Sequence, residues 1–98
     1  GAGFVAIYKK EIVGVIYYKI EQFWRGPVLL VEDLAVKKEF ERKNVGKRLM
    51  EKIEELAAKR KIKMITFITN QKSPAKTFYK KVGYKQRKDL IIFEKQIR

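Results

Sequence analysis

A group of basic residues stands at the predicted start of a helix and could bind an anion. The segment reads Arg42-Lys43-Asn44-Val45-Gly46-Lys47, and apolar residues at helical spacing follow it. The first N–H groups of a helix have no partners within the helix and lie at the positive end of its dipole, so they suit a pyrophosphate. Gly46 would let backbone amides approach phosphate oxygens closely. Cations at this position oppose the dipole by about 0.3–1 kcal/mol each, so we predict an anion site rather than an ordinary capped helix.

Two carboxylates are the other candidates for chemistry. The chain contains no cysteine and no histidine, which excludes a disulfide framework, a Cys/His zinc site, a Ser-His-Asp triad and a cysteine nucleophile. Catalysis must then rest on carboxylates, tyrosines, lysines or backbone groups. Glu32 and Asp33 are the only polar residues in the apolar run Val28 to Val36. The alternative reading is that one of them is a polar interruption paired with a lysine.

The charge balance favours a polyanionic partner. Lys and Arg number 24 against 11 Asp and Glu, which gives a net charge of +13. Three interpretations fit this charge: a nucleic-acid partner, a triply phosphorylated coenzyme, or a lysine-rich surface that is only solvated. The basic residues are spread along the whole chain and not gathered in one arm, so nucleic acid is disfavoured but not excluded.

Length and composition indicate one globular domain. The chain has 98 residues, of which 46% are hydrophobic, enough for a single small core. We find no apolar run of the roughly 20 residues that span a bilayer and no targeting motif, so we expect a cytoplasmic location without membrane contact. A composition rich in Lys, Glu and Ile and poor in Asn and Gln is typical of thermophilic proteins.

Hydrophobic periodicity predicts an α/β fold with a mixed sheet, in the order β-β-β-α-β-α-β. The first two strands form an antiparallel hairpin, and Gly14 in the second marks a bulge or a close backbone approach. The strand-helix-strand unit requires a parallel pair joined by a right-handed crossover. The predicted elements are strands at Phe4–Tyr8, Ile12–Ile20, Val28–Val36, Ile62–Thr69 and Leu90–Phe93, a helix over Asn44–Arg60, and a second helix capped by Ser73-Pro74 and stopped by Gly83.

Two motifs resemble those of the GNAT N-acetyltransferases. The strand Val31–Val36 followed by the segment from Glu41 to Gly46 is similar to the family's [Q/R]-x-x-G-x-[G/A] signature for acetyl-CoA. The segment Ala75–Tyr84 is similar to its later A-x-x-F-Y-x-x-x-G-[F/Y] box. The resemblance implies one GNAT-like domain over residues 1–98. Family members usually carry a strand and two helices before the hairpin, so we expect a short form, a fragment, or a chain completed by a partner such as a second copy.

The resemblance also implies roles for individual residues. Backbone groups of the strand would pair with the pantetheine arm of acetyl-CoA, and the helix start would hold its pyrophosphate, without any metal. Tyr79 would protonate the leaving thiolate; the alternative is a core aromatic beside Phe78. Glu32 would act as general base, with Asp33 or water as alternatives. The implied coenzyme-binding residues are Leu34, Ala35, Val36, Arg42, Lys43, Asn44, Val45, Gly46, Lys47 and Tyr79.

Three positions depart from the family pattern. Glu41 replaces the usual Gln or Arg, and a carboxylate there does not favour phosphate. Asn44 replaces the first Gly, but Asn is the residue after Gly that best tolerates left-handed backbone. Lys72 stands where the second box commonly begins with Asn, and the nearest Asn is Asn70.

The sequence thus predicts acetyl transfer from acetyl-CoA directly to an amine. The acceptor could be a small amine, a protein N-terminus or a lysine, and the positive charge disfavours a polycationic acceptor. The alternative is a non-catalytic GNAT-fold remnant that binds CoA or nucleic acid through its basic surface.

Overall fold

The chain forms two units, which this computed structural model describes over residues 1–69 and 72–97. The first unit is Gly1–Ile68 and the second is Thr69–Arg98. The first contains β1 (Ala2–Tyr8), β2 (Glu11–Phe23), β3 (Gly26–Val36), a 3-10 turn (Lys38–Phe40), α1 (Val45–Lys59) and β4 (Ile65–Thr66), and the second contains α2 (Ala75–Lys81).

A four-stranded mixed sheet in the order β1-β2-β3-β4 organises the first unit. The β1–β2 pair is antiparallel and the β3–β4 pair is parallel, as the sequence predicts, and the β2–β3 pair is antiparallel. Directly opposed residues share a face of a sheet, so Ile16 and Leu34 lie on one face, together with Tyr18 and Val31. The core consists of Val13, Ile16, Tyr18, Leu29, Val31, Leu49, Met50, Ile53, Ala57 and Ile62.

Helix α1 is held by an apolar stripe. Its buried residues are Leu49, Met50, Ile53 and Ala57, whose spacing places them on one side of the helix. The helix ends where Lys61 adopts a left-handed conformation with φ of 59°. The N–H of Ile62 then donates to the carbonyl of Ala57 at 2.8 Å, which is the closing bond of a Schellman motif.

Helix α2 is short and is defined by its two ends. The Ser73 hydroxyl accepts a hydrogen bond from the Ala75 N–H at 3.2 Å, so the predicted capping role of Ser73 ahead of Pro74 is confirmed. At the other end Gly83 has φ of +98°, and the Tyr84 N–H donates to the Tyr79 carbonyl at 3.0 Å. None of the seven helical residues is buried.

Two predicted strands differ from the structure. Only Ile65–Thr66 of the predicted 62–69 strand joins the sheet, because Ile62 is buried at the closing bond of α1 and is not available to a strand. The predicted strand Leu90–Phe93 is wrong: within the described part of the second unit these residues enter no strand. Their side chains are 63–87% exposed, and strand propensity without a paired neighbour does not make a strand.

Two further expectations concern single residues and the membrane. Asn70 lies outside the described residues. Across residues 1–69 and 72–97, the structure contains no helix with the length and apolar character that crossing a membrane requires.

Candidate functional site

The start of α1 has the backbone that the sequence predicts. Asn44 precedes the helix in a left-handed conformation, with φ of 65° and ψ of 14°, and its side chain caps none of the first N–H groups. No acidic residue lies in the first turn. Arg42 is also left-handed, with φ of 65°, and the sequence did not foresee this because Arg does not favour that conformation. The helix therefore begins with amides that a bound anion could accept from.

Gly14 brings this helix start close to the end of β3. A side-chain carbon placed on Gly14 would lie 2.8 Å from Cγ1 of Val45 and 3.2 Å from Cδ1 of Leu49. Gly14 is itself paired with Val36, the last residue of β3. On its other side Gly14 pairs with Ala6 while Ile12 pairs with Ile7, so a bulge lies next to Gly14, which is one of the two predicted alternatives. The contacts from α1 are to side-chain carbons, and they pack the first turn of α1 beside the end of the strand.

The end of β3 has one edge outside the sheet. Within the described residues, β4 pairs with β3 at only two positions, Leu29 with Ile65 and Leu30 with Thr66. Strand β3 continues to Val36, and residues Leu34–Val36 are paired with β2. Backbone groups on the opposite edge can therefore pair with an extended ligand.

Glu32 and Asp33 lie at a bulge of β3. Asp33 is opposite Tyr17 and Val31 is opposite Tyr18, so Glu32 is the extra residue of β3. The bulge interrupts the alternation of side chains between the two faces of β3 at this point. Val31 and Leu34 remain on the covered face, and both carboxylate residues are exposed.

An ammonium group lies within electrostatic range of Glu32. Lys19 Nζ is 3.1 Å from a carboxylate oxygen of Glu21. The hydrogen bond to Glu21 raises the pKa of Lys19, and the charge of Glu32 raises it by a smaller amount. The surroundings of Glu32 are therefore charged and exposed to solvent rather than apolar.

The basic side chains at the helix start are exposed. Lys43 Nζ lies 5.5 Å from the centre of the Phe40 ring, and Arg42 and Lys47 are exposed. The preceding Glu41 is exposed as well. The described residues contain no group of His, Cys, Asp or Glu that could hold a metal ion. The exposed basic side chains and the amides of the helix start suit phosphate.

Tyr79 belongs to the second unit. It lies on α2, half-buried, with its ring centre 5.4 Å from that of Phe78 and the two planes at 61°. The structure thus brings the predicted strand residues and helix-start residues together within the first unit. It places the predicted proton donor on α2, in the second unit.

Comparisons with solved structures give the fold. An aminoglycoside acetyltransferase from an uncultured soil metagenomic sample, in complex with trehalose, superposes with a TM-score of 0.87 at 19% identity, over 98% of this chain and 65% of that one. A Pyrococcus furiosus protein classed as an acetyl transferase gives a TM-score of 0.83 at 30% identity, over 97% and 64%. The aminoglycoside N-acetyltransferase AAC(6')-Iy in complex with CoA gives a TM-score of 0.86 at 16% identity, over 97% of this chain and 75% of that one. The chain therefore spans about two thirds of the length of the first two.

Sequence comparison gives the family. No curated protein sequence matches the chain significantly. The sequence profile of the acetyltransferase (GNAT) domain, however, matches residues 1–86, a range that includes both motifs, the sheet and the two helices. With this match and the shared fold, the chain belongs to the GNAT acetyltransferase family.

Proposed function

We propose that this chain is an acetyl-CoA-dependent N-acetyltransferase domain that moves an acetyl group directly to an amine. One observation carries the proposal: the open edge of β3 at Leu34–Val36 lies beside the uncapped start of α1. An extended arm with amide groups can pair with the strand edge while its phosphates bind the helix start. The CoA complex of AAC(6')-Iy, which shares the fold, supports this choice of ligand.

The residues at the helix start fit a pyrophosphate. Asn44 has the left-handed backbone that the family pattern assigns to Gly, and Gly46 in the first turn leaves room for a close approach. Arg42, Lys43 and Lys47 add positive charge around the amides. Bound acetyl-CoA would supply an acetyl group activated as a thioester.

Glu32 is the proposed general base. An amine with a pKa of about 10.4 requires about 4.6 kcal/mol to lose its proton at pH 7, and a nearby carboxylate or a water that it orients lowers this cost. The bulge directs Glu32 away from the covered face of the sheet and leaves it exposed to an incoming acceptor. Asp33 and bulk water are the alternatives. We expect Glu32→Gln to move the pH–rate profile to higher pH; a profile that matches the exposed control Glu51→Gln would exclude Glu32.

Tyr79 is the proposed proton donor to the departing thiolate. A phenol with a pKa near 10 is protonated at neutral pH and can donate to sulfur. The support for this role is the match of Ala75–Tyr84 to the second family motif and the position of Tyr79 on α2.

The acceptor is proposed to be an amine. Structures of similar fold include a complex of an aminoglycoside acetyltransferase with sisomicin, but a net charge of +13 repels polycationic acceptors. A small amine carrying an acidic group, a protein N-terminus or a lysine fits the charge better. A second copy of the chain could cover the outer edge of β1 and form a dimer.

Two measurements test the proposal together. Binding of acetyl-CoA should raise Tm, by an amount equivalent to about 2.7 kcal/mol at a concentration of 100 times Kd. Intact-mass spectrometry of amines and peptides incubated with acetyl-CoA should then show one class gaining an acetyl group. An unchanged Tm with acetyl-CoA, combined with a strongly salt-dependent shift on adding DNA, would contradict acetyl transfer and indicate a nucleic-acid-binding remnant.

A further inference from the structure

The turn between β1 and β2 carries two lysines in an unfavourable backbone conformation. Tyr8 pairs with Glu11, so Lys9 and Lys10 form a two-residue loop, with φ of 49° and 67°. Positive φ at both positions is the condition of a type I′ turn, which strongly prefers Asn-Gly. Long side chains adopt this conformation rarely. The chain therefore keeps two positive charges here although the backbone would favour other residues.

Several contacts hold this turn against the segment that leads into α1. The Tyr8 and Phe40 rings lie 5.4 Å apart, tilted by 58°, and Phe40 ends the 3-10 turn before α1. Lys37 forms an ion pair with Glu11, and its backbone N–H donates to the Val13 carbonyl at 2.8 Å. The position of the turn relative to the start of α1 is thus fixed by side-chain and backbone contacts.

The aromatic pair has a cation on each ring. Lys9 Nζ is 5.4 Å from the centre of the Tyr8 ring, and Lys43 Nζ is 5.5 Å from the centre of the Phe40 ring. Such contacts hold an ammonium group in place without neutralising it. Within the described residues, Lys9, Lys10 and Lys43 form no ion pair. Lys9 and Lys43, placed against aromatic rings, and the neighbouring Lys10 are therefore cations without an acidic partner in the described part of the chain, which suits a multiply charged anion.

We propose that Lys9 and Lys10 form a second phosphate subsite that binds the 3′-phosphate of CoA, with Lys43 shared between this subsite and the pyrophosphate at the helix start. This inference rests on the proposed function, because that function brings CoA to the start of α1. A phosphomonoester carries nearly two negative charges at neutral pH, and compact ammonium groups bind it as point charges. The turn would therefore distinguish CoA from an otherwise identical ligand that lacks this phosphate.

The test compares CoA with dephospho-CoA, which lacks the 3′-phosphate, in calorimetric titrations at fixed ionic strength. The variant is Lys9→Asn with Lys10→Gly, because Asn-Gly removes both charges and is the preferred sequence for this turn. The matched control is Lys59→Ala with Lys61→Gly. It also removes two charges and one left-handed lysine, but at the far end of α1, which is roughly 20 Å long at 1.5 Å per residue.

We expect the unmodified chain to bind CoA about tenfold more tightly than dephospho-CoA, as loss of charge-assisted hydrogen bonds implies. In the turn variant the Kd for CoA should rise about tenfold and that for dephospho-CoA by roughly twofold or less, whereas the control keeps the preference. Equal affinity of the unmodified chain for both ligands would overturn the subsite and leave the proposed function standing. The subsite would also be overturned if the turn variant lost affinity equally for CoA and dephospho-CoA, or if the control lost as much affinity for CoA as the turn variant. Either result would mean that the lysines act only through the overall charge of the chain. Failure of the unmodified chain to bind CoA at all would overturn both.

Discussion

The two units of the chain are stabilised by different interactions. Every buried apolar residue of the described core lies in the first unit, where α1 packs on the sheet. In the second unit, α2 has no buried residue and is defined by the Ser73 cap at one end and by Gly83 at the other. Packing gives most of the stability of a helix in a protein, and caps add about 1 kcal/mol each. The first unit is therefore held by a buried core, whereas α2 combines half-buried side chains with its two ends.

This difference separates the proposed coenzyme site from the proposed proton donor. The open edge of β3 and the start of α1, which we propose bind the coenzyme, are positioned by the core of the first unit through Gly14. Tyr79, the proposed proton donor, lies on the helix with weaker support. Changes in the core that positions the start of α1 should thus alter stability and coenzyme binding together, and loss of the Tyr79 hydroxyl should alter turnover without altering coenzyme binding.

The largest effect should come from removing core volume in the first unit. Ile53 is fully buried in α1, and Ile53→Ala should cost about 2–5 kcal/mol of unfolding free energy through lost burial and a cavity. Phe78→Ala on α2 is the matched change in the second unit. It should cost far less, because Phe78 is only half-buried. Urea unfolding followed by circular dichroism measures both, and equal losses would contradict the contrast between the units.

The second effect isolates the chemistry. Tyr79→Phe should lower kcat by about 100-fold, the lower end of the range for a lost general acid, and leave the Kd for CoA unchanged. Tyr84→Phe is the control, because the family motif accepts either aromatic at that position. Single-turnover kinetics and calorimetry give the two quantities. Full activity in Tyr79→Phe would remove Tyr79 from the proposed role.

A third change acts where the first unit positions its site. The side chain of Gly14→Ala would meet Val45 Cγ1 at 2.8 Å, so the first turn of α1 must shift. Overpacking of this kind costs about 1–3 kcal/mol, and we expect Tm and CoA affinity to fall together. Adding Val45→Ala removes the closest contact and should restore part of both. Loss of Tm without any loss of CoA affinity would mean that the helix start does not bind the coenzyme.

Local patterns in the sequence predicted most of the fold because the residues that carry them act over short ranges. The apolar stripe from Leu49 to Ala57, the Ser73 cap and Gly83 each determine their own surroundings, and the structure confirms them. The predicted strand at 90–93 is wrong because a strand depends on a partner that local sequence does not reveal.

The candidate site, too, could be predicted from the sequence only in part. The left-handed backbone of Asn44 could be predicted, because Asn tolerates it. The left-handed backbone of Lys9 and Lys10 follows from the two-residue loop between paired strands and not from the preference of lysine, and that of Arg42 runs against the preference of arginine. The bulge at Glu32 arises from the register between β2 and β3, and no single strand contains that information.

The smallest effect should come from an exposed ion pair in the second unit. Arg87 donates to both carboxylate oxygens of Asp89, from Nε at 2.8 Å and from Nη2 at 2.6 Å, and these hydrogen bonds lower the pKa of Asp89 from 3.8 to about 2. A lowered pKa in the folded state means that the pair contributes fully to stability above pH 3.8 and that this contribution is lost as the pH falls towards 2.

Because both side chains are exposed, at 61% and 62%, we expect Asp89→Asn to leave Tm at pH 7 unchanged within error. Carboxyl NMR titration should place the Asp89 midpoint near 2, and Arg87→Gln should return it towards 3.8. A midpoint near 3.8 in the unmodified chain would show that the pair does not persist in solution, and a large fall in Tm in Asp89→Asn would show that the second unit depends on this pair more than on its helix ends.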